Sequence, residues 1–192
     1  MSPRSKLMRP LWPETIEPGV PLDEPGRLWY LLLAGMVQRY HSVPTVTTDT
    51  VGEHTFGVAW LCVILWGGLP RAELLLAAVM HDVPELTLGD MPAPAKRILG
   101  IREQLKKMEN DILTGTLGIP VSKLTENEQR VLSLADVSDG MLHCCYERAL
   151  GNRVIEEVYE RFLSYTEQLN PNPNERGIIE AIEHIWESYH HA

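Results

Sequence analysis

Long apolar runs, paired cysteines and an excess of basic charge are all missing from this 192-residue chain. The longest apolar run, Val58 to Leu69, contains two glycines. A bilayer-spanning helix needs about 20 apolar residues, so this run reads as a buried helix and no membrane partner is expected. The opening residues lack the apolar core of a secretory signal. Three cysteines, Cys62, Cys144 and Cys145, form no CxxC pair. They read as reduced thiols used for packing in a cytoplasmic protein. A formal charge of −9 excludes the basic footprint that polymeric nucleic acid requires. A local basic pocket for one anionic small molecule remains open. Period-two strand alternation and internal repeats are absent as well.

What is present is 44% apolar residues, enough for one globular domain. Residues 1–26 hold six prolines. Proline removes backbone donors and disfavours helix, so this stretch reads as an extended arm. Leu11, Trp12 and Ile16 give the arm something to pack with, on its own domain or on a neighbouring subunit. Residues 27–192 read as a single all-α domain, a bundle of about seven helices. The segment 27–40 is apolar nearly all round and reads as a buried helix. Thr50 with Glu53, and Thr125 with Glu128, form capping-box patterns that open two further helices. Gly67-Gly68 and Gly151 close them. The C-terminal amphipathic helices and the large apolar content predict a homo-oligomer.

The chemistry concentrates in MHDVPELTLGD, residues 80–90. The apolar AELLLAAVM before it points into the bundle and carries His81 and Asp82 to a buried place, where an unpaired carboxylate is costly. The helix holding His54 and the helix ending at His81 are joined by GGLP. They should therefore be antiparallel neighbours, with His54 near the start of one meeting His81 near the end of the next. Asp136 lies among Val131, Leu132, Leu134, Ala135 and Val137, an unusual setting for an acid. Two imidazoles and two carboxylates suit one divalent ion such as Mn²⁺, Co²⁺, Fe²⁺, Zn²⁺ or Mg²⁺. A thiolate-rich structural zinc site is a different pattern. Asp139, one turn past Asp136, reads as the more exposed face. His41 reads as a solvated loop residue, and His143 shares a helical face with Asp136.

The order His54, His81-Asp82, Asp136 resembles the H…HD…D signature of the HD-domain phosphohydrolase superfamily. RY at 39–40, VGEHTFGVA, HDVPELTLGDMPAPAK and LADVSDGM resemble its 5′-deoxynucleotidase branch over about residues 27–165. The most specific block runs from His81 to Lys96. The resemblance implies that His54, His81, Asp82 and Asp136 ligate one metal. It implies that Glu85 orients or deprotonates water, and that Asp90 assists proton transfer. Arg39 and Lys96 would hold phosphate oxygens. Tyr40, where the family usually has tryptophan, would lie against the sugar and reject a 2′-hydroxyl. The substrate implied is a 2′-deoxynucleotide, cut as a monophosphate to deoxynucleoside and phosphate. Phage dNTP triphosphohydrolases keep the same ligands and release triphosphate instead. A catalytically silent nucleotide-sensing HD module is disfavoured because all four ligands, Glu85 and Asp90 are present. No histidine lies between residues 82 and 135, whereas two-metal HD phosphodiesterases carry extra ones there.

Overall fold

A computed structural model describes residues 16–121 and 123–189. Among them the chain is helical: α1 Glu24–Ala34, α2 Val51–Trp66, α3 Ala72–Met80, α4 Glu85–Leu88, α5 Ala93–Leu99, α6 Arg102–Asp111, α7 Glu126–Ala149, α8 Glu156–Gln168 and α9 Pro173–Ser188. A π-helical turn, Ile112–Thr116, extends α6. Seven of these helices match the seven expected. The short α4 and α5 occupy the Pro-containing stretch after His81.

The capping boxes form as the sequence predicts. Thr50 and Glu53 exchange hydrogen bonds at the start of α2, and Thr125 and Glu128 do so at the start of α7. Gly67 closes α2 in the left-handed region. The main core unites α2, α3, α7, α8 and α9 around Val58, Leu61, Cys62, Leu65, Leu74, Leu134, Met141 and Cys144. All three cysteines are unpaired and buried. Burial pushes the Cys62 thiol up to about 12 and Cys145 to about 11, so neither is primed as a nucleophile.

A smaller core, Tyr30, Ala34, Val83, Ile112, Leu113 and Leu117, joins α1 to the segment after α3. Ile16 and Leu22 pack against it, and Gly19 and Leu22 donate backbone hydrogen bonds to Thr116. The proline-rich stretch from Ile16 onward therefore lies on its own domain; Leu11 and Trp12 fall outside the described residues. Tyr30 shares a 2.7 Å hydrogen bond with Thr87 and so ties α1 to α4.

Two expectations need correction. The first helix begins at Glu24 and ends at Ala34, so Arg39 and Tyr40 lie in a loop beyond it. It is also only partly buried, with Leu28 66%, Trp29 38% and Leu32 54% exposed. An all-round apolar sequence cannot distinguish a core helix from a surface helix with an uncovered apolar side. The same applies to α2, which exposes Phe56, Trp60 and Ile64.

Candidate metal centre

Three elements deliver the site. α2 supplies His54 from its first turn, α7 supplies Asp136 from mid-helix, and the turn ending α3 supplies His81 and Asp82. The antiparallel pairing of α2 and α3 brings His54 Nε2 to 3.3 Å from His81 Nε2. The same nitrogen lies 3.1 Å from Asp136 Oδ1 and 3.4 Å from Asp82 Oδ2. His81 Nε2 lies 3.4 Å from Asp82 Oδ2 and 4.0 Å from Asp136 Oδ1. Donors about 2.0–2.2 Å from a common ion stand roughly 3.0–3.5 Å apart in tetrahedral or octahedral arrangements. The mixed imidazole and carboxylate set fits one divalent cation on both spacing and chemistry. His81 is held for this by its other nitrogen, Nδ1, 2.8 Å from the Ala78 carbonyl.

The electrostatics agree. Burial disfavours a charge on His54, yet hydrogen bonds to Asp136 and Asp139 outweigh it and raise its pKa to about 9. Desolvation works against a charged Asp136. It is overcome by His54, His81 and Arg39, which hold the carboxyl at about 2. About half of that side chain (49%) still meets water, so its desolvation is partial. An anionic pocket that draws a proton onto histidine is one that a cation can occupy instead.

Glu85 opens α4 rather than continuing α3, because Pro84 interrupts the helix. Its Oε2 is buried without a hydrogen-bond partner. Burial raises its pKa to about 8, helped by repulsion from Asp82 and Asp90 and opposed by Arg39 and Lys96. Gly89, at φ 77°, ψ 149°, makes the turn that carries Asp90. Asp90 Oδ2 lies 3.4 Å from His41 Nδ1. His41 is therefore half exposed but paired, not simply solvated as expected.

Arg39 is clamped twice by Asp49. Its backbone N–H donates to the Asp49 carbonyl and its guanidinium lies 2.9 Å from Oδ2. A 3.9 Å approach to Asp139 Oδ2 adds a third restraint. Its guanidinium also lies 5.3 Å from the Tyr40 ring centroid. Tyr40 adopts φ 56°, rare for a non-glycine residue, and stacks on His143. Lys96 on α5 lies near enough to Glu85 and the half-buried Glu109 to oppose the rise in both their pKa values.

Asp139 corrects the sequence reading. It is not on an exposed face: its side chain is 17% exposed and its Oδ2 lies 2.7 Å from His54 Nδ1. Asp49 and Glu109 were not anticipated either. Asp139 could have been found from its spacing, one turn beyond Asp136 on the same helix. Asp49 and Glu109 give no comparable signal.

A family model described as 5′-deoxynucleotidase YfbR-like matches residues 29–184. The chain belongs to the YfbR-like family. Among its relatives is a dATP triphosphohydrolase from Salmonella phage PMBT28, 28% identical over 160 residues, covering 73% of this chain and 78% of the relative. The fold is that of an HD-domain phosphohydrolase from Listeria innocua, with a TM-score of 0.69 at 17% identity over 85% of this chain and 89% of that one. The HD phosphohydrolase of cyanophage S-2L, bound to dA and one catalytic Zn²⁺, superposes with a TM-score of 0.62 at 17% identity, covering 88% and 99%. The YfbR-like match includes every expected site residue from Arg39 to Asp136.

Proposed function

We propose that this chain is a metal-dependent phosphohydrolase of 2′-deoxynucleotides, acting as a 5′-deoxynucleotidase. The observation that carries this reading is the convergence of His54, His81, Asp82 and Asp136 beside Glu85, whose buried carboxyl has no partner. When bound, a divalent ion would lower the pKa of water and offset charge on a phosphate oxygen. The protein's own groups do the rest. Arg39, fixed by Asp49, and Lys96 hold the other phosphate oxygens. Glu85 takes a proton from the attacking water, for which its raised pKa suits it. That proton passes from Glu85 to the neighbouring Asp90, which has His41 beside it and delivers it to the leaving 5′-oxygen. Water and a deoxynucleoside monophosphate give deoxynucleoside and phosphate.

The charge inventory favours a monophosphate. The two cations assigned to phosphate are Arg39, already neutralised in part by Asp49, and Lys96, which faces Glu85 and Glu109. A triphosphate brings about twice the negative charge of a monophosphate into the same acidic surroundings. The similarity to a phage dATP triphosphohydrolase supports a second reading, in which dATP is cut to deoxyadenosine and triphosphate. Product analysis with dAMP, dATP and ATP, each with Mn²⁺, Co²⁺ or Zn²⁺, separates them. Inorganic phosphate from dAMP supports the first reading, and tripolyphosphate from dATP supports the second. No turnover of any of the three overturns both.

In this reading residues 27–192 form the catalytic domain and residues 1–26 an arm; the family match over 29–184 supports the division. A homo-oligomer is supported by Phe56, Trp60 and Ile64, spaced four residues apart on one exposed face of α2. Light scattering on the protein and on Trp60→Lys tests it: the native chain should exceed 21.7 kDa, and the variant should shift toward that mass. Free thiols support a cytoplasmic location. No described helix is long and apolar enough to cross a membrane.

A further inference from the structure

His54 can present either ring nitrogen to the pocket, and something must choose. Its Nε2 faces His81, Asp82 and Asp136, while its Nδ1 lies 2.7 Å from Asp139 Oδ2. An imidazole ligand is useful only if the nitrogen facing the ion has a free lone pair, which requires the neutral ring to carry its proton on the other nitrogen. A carboxylate accepting from Nδ1–H stabilises that tautomer and fixes the ring plane.

A second observation is independent of that hydrogen bond. Gly57 lies three residues after His54 on α2, so it shares the face that meets α7. A Cβ added at Gly57 would lie 1.9 Å from Asp139 Oδ1 and 2.9 Å from its Cγ. Nothing with a side chain fits there while Asp139 keeps its position. The sequence "HTFG" on α2 thus pairs a ligand with a gap one turn on, and the gap is filled by the carboxylate that holds the ligand. Arg39 NH1, 3.9 Å from the same Oδ2, balances its charge from the other side.

We propose that Asp139 is the positioning residue of the metal centre: it locks His54 in the tautomer that turns Nε2 to the ion, and Gly57 is the space that admits it. The proposal rests on the reading of His54 as a metal ligand. Asp139 itself does not touch the ion or the substrate; it acts through His54, and through it the site is preorganised before any ion arrives.

The test uses the full chain and Zn²⁺ alone, with affinity measured by competition against a chromophoric chelator. Wild type, His54→Ala, Asp139→Asn, Asp139→Ala, Gly57→Ala and the double variant Gly57→Ala/Asp139→Ala are compared. Asp139→Ala should weaken Zn²⁺ binding ten- to a hundredfold. Asp139→Asn should fall between it and wild type, because an amide oxygen can still accept from Nδ1–H without the negative charge. Gly57→Ala should mimic Asp139→Ala, since its methyl displaces the carboxylate. The double variant should be no weaker than either single one, because removing the carboxylate makes room for the methyl. A purely structural role would instead give additive losses. In the Zn²⁺-loaded protein, ring ¹⁵N spectra should show His54 protonated at Nδ1, with that proton exchanging faster with water in Asp139→Asn.

Should Asp139→Ala not fold, Asp139→Asn and Gly57→Ala still decide. Affinities within twofold of wild type in both overturn the role of Asp139. If wild type takes up no Zn²⁺, or His54→Ala keeps full affinity, the metal-centre reading itself fails. Weakening in His54→Ala with none in Asp139→Asn and Gly57→Ala leaves that reading standing and removes only the proposal.

Discussion

Tyr40 stacks on His143, ring centroid to ring centroid 4.6 Å at 17°. The pair joins the loop after α1 to α7 two turns past Asp136, so the face that would meet the sugar is braced from beneath. Tyr40 is held at a left-handed φ of 56°, a conformation that persists only when its surroundings fix it. The Tyr40 hydroxyl and His143 Nε2 are both buried without hydrogen-bond partners. The ring therefore matters more than the hydroxyl. If the Tyr40 ring excludes a 2′-hydroxyl, as proposed, Tyr40→Phe should preserve the preference for dAMP over AMP, whereas Tyr40→Ala should reduce it by about tenfold or more. Ratios of kcat/KM for the two nucleotides measure this, and an unchanged ratio in Tyr40→Ala would place sugar selection elsewhere.

Much of the site could be read in the sequence because its parts obey local rules. Helix lengths and the GGLP connection were enough to bring His54 and His81 together, and capping boxes placed the starts of α2 and α7. Asp136 stood out because an acid among apolar helix positions has a cost. What escaped had a weak local signature, such as the helical spacing of Asp139 from Asp136, or none. Asp139 looks like a solvent-facing residue until α2 is seen to leave a gap at Gly57. Asp49 reaches Arg39 through a loop ten residues long, and Glu109 arrives from a helix whose neighbours are set by tertiary packing. The outer faces of α1 and α2 were misjudged for the converse reason: apolar residues announce burial against something, and that something can be outside the chain.

Glu85 gives the sharpest separation of binding from turnover. Its carboxyl is near the ion ligands yet not among the close donor distances, so Glu85→Gln should keep one equivalent of metal while kcat falls by about 10² or more. In the free protein its pKa stands near 8, raised by burial and by Asp82 and Asp90. A base must be deprotonated, so kcat/KM should fall as pH drops through that group. A bound cation favours the carboxylate and moves the limb below 8. Glu85→Gln should abolish the limb. A variant with full kcat, or with the same acid limb, would take the proton-transfer role away from Glu85.

Asp82 and Asp136 should be indispensable for holding the ion, since each contributes an oxygen within 3.4 Å of His54 Nε2. Asp82→Ala and Asp136→Ala proteins, purified alongside wild type and analysed for metal by elemental methods, should retain well under a tenth of the wild-type content. Because neutral imidazoles are needed and His54 in the free protein holds its proton up to about pH 9, metal affinity in wild type should also weaken as pH falls below about 9. Full occupancy in either variant would contradict the ligand set.

Glu147 anchors the loop that leads to Asp49, the partner of Arg39, which is proposed to hold phosphate. It is fully buried and accepts from the backbone N–H groups of Val46 (2.7 Å) and Thr47 (2.8 Å), from the Thr47 hydroxyl and from the Asn152 amide (2.7 Å). Asn152 also donates to the Pro44 carbonyl. Burial alone would raise the Glu147 pKa, but these donors outweigh it and hold the group at about 2, against 4.5 for an ordinary glutamate. A carboxyl whose folded pKa is depressed stabilises the fold fully above its unfolded pKa and loses that contribution as pH falls toward the folded one. The relevant window runs from about pH 5 down to about 2. Wild-type Tm should drop across it. Glu147→Gln, which keeps one acceptor and loses the charge, should start with a lower Tm at pH 7 and lose less on acidification. Since the loop ends at Asp49, which clamps Arg39, the same variant should raise KM for the nucleotide more than it lowers kcat. Parallel Tm profiles for the two proteins, together with an unchanged KM, would show that the loop is held by other contacts.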